Sequence, residues 1–69
     1  MSELPLASVE RLMRKAGAER VSMGAITAMT EVLEDYCIKI SKDSIELAKH
    51  AKRKTLKKED VKLATKRIN

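Results

Sequence analysis

Cysteine, histidine and aromatic side chains are almost absent. The chain has one of each, Cys37, His50 and Tyr36, with no tryptophan or phenylalanine. One cysteine excludes an internal disulfide, and one cysteine with one histidine leaves a zinc site within a single chain without its ligands. A lone mid-chain tyrosine gives no stacking platform for single-stranded nucleic acid. No apolar run approaches the roughly 20 residues of a membrane span, and no secretory signal opens the chain, so a soluble cytoplasmic protein is expected. A single thiol fits a reducing compartment. Catalytic groupings are missing too: there is no Gly-rich phosphate loop and no nucleophile beside His50. The acid pairs Glu34-Asp35 and Glu59-Asp60 are sequence neighbours that point apart or serve a helix dipole. The expectation is therefore no enzyme, no cofactor, no metal and no small-molecule substrate.

What the chain does carry is positive charge. Fifteen Lys+Arg stand against ten Asp+Glu, a net +5 that two copies would double to +10. Such a balance favours a polyanion as partner. At 69 residues the chain is at most one domain, 1–69, and its own core is marginal. With disulfide and metal excluded, a second polypeptide is the remaining source of stability.

The stretch from Ser22 to about Ala51 requires that partner most. Ile26, Met29, Leu33, Tyr36/Cys37, Ile40, Ser44, Leu47/Ala48 and Ala51 follow the helical three-four rhythm. Ala25, Ala28, Val32, Ile38 and Ile45 lie elsewhere around the same cylinder, so the helix is apolar over more than one face. Roughly 30 residues of helix span roughly 45 Å. A compact domain of this size has a diameter near 30 Å. Two chains crossing their long helices resolve the mismatch, and an obligate dimer is expected.

The flanks read as short helices. Pro5 suits a first turn, Leu6, Val9, Leu12/Met13 and Ala16 form one stripe, and Gly17 is placed to end the helix with positive φ. The first helix is expected over about 5–16. Ser22 is a good N-cap for the long helix, although Ala25 leaves no capping box. Lys39–Asp43 and Lys42–Glu46 are i,i+4 pairs. The Lys52–Lys58 run then holds five basic residues and no acid, with Thr55-Leu56 as a candidate extended pair beside Arg20-Val21 of another loop. Glu59 and Asp60 supply acid to the first turn of a third helix, whose apolar face is Val61, Ala64 and Ile68 with Leu63 adjoining. The architecture is all-α: short helix, loop, long central helix, loop, short helix.

These residues carry a resemblance. Glu3-Leu4-Pro5 with Ala7, Arg11 and Lys15-Ala16-Gly17-Ala18-Glu19-Arg20-Val21-Ser22 opens it. Leu47-Ala48-Lys49-His50-Ala51, Arg53-Lys54-Thr55 and Lys57-x-Glu59-Asp60 continue it. Together they resemble the archaeal histones over essentially the whole chain, without the extended basic tails of most eukaryotic core histones. The departures are Ser8 for a common proline, Met23-Gly24 at the helix start, Lys52 for a frequent glycine and the ending Ile68-Asn69.

The resemblance implies the histone fold as a head-to-tail handshake dimer that binds double-stranded DNA with little base specificity and compacts it in a nucleoid-associated, chromosomal setting. It implies an Arg20 inserted into the minor groove, supported by Arg11 and Thr55. Arg14, Ser22, Arg53, Lys54 and Lys57 complete the implied DNA-binding set. Leu47, His50 and Asp60 would form a dimer–dimer contact leading to tetramers or longer assemblies, and an Arg53–Asp60 salt bridge would fix the second loop. Heterodimers with other histones are a further implied partner. For an arbitrary protein the Lys52–Lys58 run reads as a solvated loop, His50 as a cation at a helix C-terminus, and Cys37 and the four methionines as core fillers. The competing functions are a histone-fold protein that mainly recruits another protein and, last, a helix-turn-helix regulator. The central helix is too long for the latter.

Overall fold

The structure, a computed structural model, describes residues 3–68, Ile68 by its backbone alone. The expected roles of the Ile68 side chain and of the terminal Asn69 fall outside the described residues. Three helices follow one another: α1 (Leu6–Lys15), α2 (Met23–His50) and α3 (Lys58–Ile68). No strand forms among the described residues, Thr55-Leu56 included.

Helix α1 is shorter than the expected 5–16 by one residue at each end. Pro5 sits in extended backbone (φ −65°, ψ 122°) as the residue before the helix, and Ala16 follows it as C-cap. The Pro5 carbonyl accepts the N–H groups of Ser8 and Val9, both at 3.2 Å. Helix α2 starts where Ser22 Oγ accepts the Ala25 N–H at 3.1 Å, the N-cap bond its sequence suggests. Helix α3 carries Glu59 and Asp60 in its first turn and Lys66 and Arg67 in its last, each charge favourable to the helix dipole.

Helices α1 and α2 end in the same motif. Gly17 N–H bonds Arg14 O and Ala18 N–H bonds Met13 O; likewise Lys52 N–H bonds Lys49 O and Arg53 N–H bonds Ala48 O. This double closure requires positive φ at the first residue beyond the cap. Gly17 supplies it with φ 120°, whereas the second ending places Lys52 at φ 59°. A side chain in that left-handed conformation costs on the order of 1 kcal/mol relative to glycine.

The chain divides within α2 into two compact units, one up to Asp35 and one from Tyr36 onward. In the first, Val9, Ile26 and Thr30 are buried. Its lead is tied to α2 by the Glu34 carboxylate, which accepts the Leu4 N–H at 2.9 Å and the Glu3 N–H. In the second, Ile40, Ser44, Ala48, Asp60 and Ala64 are buried. Thr30 and Ser44 are fully enclosed, and each hydroxyl donates to the carbonyl four residues back, Ile26 at 2.8 Å and Ile40 at 2.7 Å. A hydrogen bond to its own helix offsets most of what a buried hydroxyl loses on leaving water.

The α2 stripe thus divides into two sets. Ile26, Ile40, Ser44 and Ala48 are covered by their own chain, joined by Thr30, which apolar periodicity passes over. Met29, Leu33, Tyr36, Cys37 and Ala51 are not covered. Val32 and Leu12 remain 61% exposed and Ile38 55%. Apolar surface on this scale in a folded chain marks an interaction face. The expected ion pairs Lys39–Asp43 and Lys42–Glu46 do not form; among the described residues the i,i+4 ion pair is Arg14–Glu10, at 2.9 Å on α1. Exposed lysines lose side-chain entropy on pairing and gain little Coulomb energy in water.

Candidate nucleic-acid interface

The first loop, residues 16–22, is held from α1. Arg14 donates from Nε and Nη2 to Glu10 Oε2 (3.1 and 2.9 Å) and from Nη1 to the Glu19 carbonyl (3.0 Å). Its guanidinium thereby bridges helix and loop and is partly neutralised. Arg20, by contrast, is exposed and makes no ion pair among the described residues. It borders an open concavity of about 540 Å³ that Met13, Ala18, Val21, Ser22 and Ala25 also line. Beyond it, the first turn of α2 contains no acidic residue. The positive end of that helix is therefore not offset locally, a setting suited to an anion. Arg11 lies exposed on α1, likewise without an ion pair among the described residues.

The second loop, residues 51–57, is organised by Asp60. Arg53 Nη2 donates to Asp60 Oδ1 (2.8 Å) and Arg53 Nη1 to Asp60 Oδ2 (2.9 Å), a bidentate pair. Arg53 Nη1 also donates to the Thr55 carbonyl at 3.0 Å, and the Lys57 N–H donates to Asp60 Oδ2 at 2.8 Å. These bonds tie the loop to the first turn of α3. The Arg53 hydrogen bond, then that of the Lys57 N–H, holds the Asp60 carboxyl down at about 2. The same bond raises the Arg53 guanidinium above its ordinary value.

With Arg53 committed to Asp60, the charges this loop presents outward are Lys52, Lys54 and Lys57, all exposed, beside the exposed Thr55. Arg53 keeps Nε–H and one Nη2–H unassigned by these bonds. Residues 47–58 contain no acid.

Leu47 is half-buried and His50 exposed near the end of α2, where Glu46, Lys49 and His50 line a shallow concavity. Asp60 is 4% exposed, and three of the roughly four acceptor positions of its carboxylate are filled within the chain. A contact from His50 to Asp60 has one position left to it, on Oδ1. Sequence reasoning assigns Arg14 to DNA alone and misses its tie to Glu19 O. The i,i+4 spacing from Glu10 points to the ion pair with Glu10, but no sequence signal points to the Glu19 carbonyl.

No helix among the described residues is long and apolar enough to cross a membrane, and no cluster of histidine, cysteine or acid there is disposed to hold a metal ion.

A family model described as histone-like transcription factor (CBF/NF-Y) and archaeal histone matches residues 2–65. The chain is 58% identical to one of the subunits of archaeal histone HAN1 from Thermococcus zilligii over 66 residues, covering 96% of this chain and 98% of the relative. It is 53% identical to probable archaeal histone 3 of Methanocaldococcus jannaschii over 64 residues, 93% of this chain and 96% of that one. Against a histone doublet of Melbournevirus, identity is 37% over 60 residues, 87% of this chain and 36% of the doublet. Short, long and short helices in this order, with full-length identity above half to two archaeal histones, show that the chain belongs to the family of histone-like transcription factors and archaeal histones.

Proposed function

We propose that this chain is an archaeal histone that binds duplex DNA largely without sequence specificity and compacts it as dimers, tetramers or longer assemblies. Its two compact units, sharing one continuous helix, act as a single histone-fold domain. The observation that carries the reading is the pair of basic helix-end loops. Arg20 and Ser22 stand at the acid-free start of α2, and Lys54, Thr55 and Lys57 are exposed on a loop that Arg53 and Asp60 hold in shape.

A second copy covers Val32, Leu33, Tyr36 and their neighbours, and head-to-tail pairing sets the first loop of one copy beside the second loop of the other. In this arrangement Arg20 enters the minor groove, where narrow-groove potential attracts guanidinium, with Arg11 and Thr55 beside it. Arg14, Ser22, Arg53, Lys54 and Lys57 face phosphates, which fix position without reading sequence. Leu47, His50 and Asp60 form the contact between dimers. The protein is chromosome-associated.

The Thermococcus zilligii relative is named as one subunit of its histone, and this favours a second arrangement, in which the partner is a different histone. Sedimentation of the purified chain separates the two: a self-dimer supports the first, and a chain that pairs only after another histone is added supports the second.

Arg20→Ala tests the DNA reading. The variant should remain a dimer while losing about tenfold in affinity, to a similar degree on unrelated duplexes, by electrophoretic mobility shift. A variant that binds and compacts DNA like the parent contradicts the minor-groove role.

A further inference from the structure

The two matching helix endings differ at one residue, and that difference has a use. At the end of α1 the positive-φ position is Gly17, and at the end of α2 it is Lys52, each closed by the same two backbone hydrogen bonds. Glycine takes this conformation without penalty, whereas lysine does not. The lysine also brings a further cation beside Lys49 and Lys54, in a run where the acid at hand, Asp60, is taken up by Arg53 and none occurs between Glu46 and Glu59. Like charges so concentrated repel. The two backbone hydrogen bonds hold the conformation, but the Lys52 side chain contributes nothing to it: it is exposed and makes no hydrogen bond or ion pair among the described residues.

Resting on the duplex-binding reading above, we infer that Lys52 is a phosphate-binding residue held at a strained helix end, where folding stability is given up for DNA affinity. Strained backbone persists where function uses it. Here the compensating charge arrives with the DNA. Lys52 adds a cation to a loop whose arginine is already committed to Asp60.

Four chains separate strain from charge: the parent, Lys52→Arg, Lys52→Asn and Lys52→Gly. Glycine and asparagine tolerate positive φ, and lysine and arginine do not. Thermal stability without DNA should therefore rank glycine above asparagine above the two cations, with the glycine variant melting roughly 5 °C higher than the parent. Affinity for a duplex too short for more than one dimer should rank the other way. The parent and Lys52→Arg should bind alike. Both neutral variants should bind about fivefold more weakly per chain, with a log–log salt slope shallower by about 0.9 per chain.

Neutral variants that keep the parental slope and affinity overturn the inference. So does a glycine variant no more stable than the parent. A parent whose affinity barely responds to salt sinks the duplex-binding reading and this inference with it. A steep parental slope unchanged in the neutral variants sinks the role of Lys52 alone.

Discussion

A carboxylate that accepts three hydrogen bonds, as Asp60 does from Arg53 and the Lys57 N–H, resists protonation. Its folded-state pKa of about 2 lies below the ordinary 3.8. The stabilisation from this pairing is therefore complete above about pH 4 and is lost as pH falls through about 2. Asp60→Asn should be less stable than the parent at pH 7, and the gap should close progressively between about pH 4 and pH 2. Urea unfolding of both chains at pH 7, 4 and 2.5 measures it, and a gap independent of pH contradicts the role. Residue types alone foretell little at this scale. The acid-free run from Lys52 to Lys58 is legible as charge, but a lysine letter does not disclose φ 59°. Nor does an arginine letter show that three donor contacts hold Arg14 to Glu10 and the Glu19 carbonyl. Thr30 looks polar in sequence and is fully buried, because its hydroxyl finds Ile26 O within its own helix.

Helices are easier to read than residues, since periodicity and caps act over many positions at once. Pro5, Gly17, Ser22 and the acids Glu59 and Asp60 mark helix ends correctly to within about a residue. Pro5 lies just outside α1 because its ψ of 122° is extended. Ser22 has a measurable share in this punctuation. Ser22→Ala removes the oxygen that receives the Ala25 N–H and should lower stability by about 1 kcal/mol. Chemical denaturation checks it, and a loss under about 0.3 kcal/mol would mean that water replaces the cap. The rhythm of α2 is legible as apolar, but not which residues the chain itself covers. Its own short helices leave Met29, Val32, Leu33, Tyr36 and Ile38 exposed.

At the scale of the whole molecule, that uncovered surface and the net charge of +5 act together. In the proposed self-dimer, burying this apolar area against a second copy couples folding to concentration. Leu33→Glu places a charge on the uncovered face and should cost about 2 kcal/mol or more of dimer stability. Sedimentation equilibrium should then show monomer where the parent is dimeric, with a melting temperature that falls on dilution. A variant as dimeric as the parent would move the interface off this face. The proposed self-dimer also doubles both basic loops, so that duplex affinity would be a sum over many phosphate contacts.

The direct test of that sum is parental affinity for a random-sequence duplex, titrated from about 50 to 400 mM monovalent salt. With at least three cations per chain on phosphates, a dimer neutralises six or more, and the log–log slope should be about −5 or steeper. A slope near −1, or strong preference for one sequence at every salt concentration, would contradict the account.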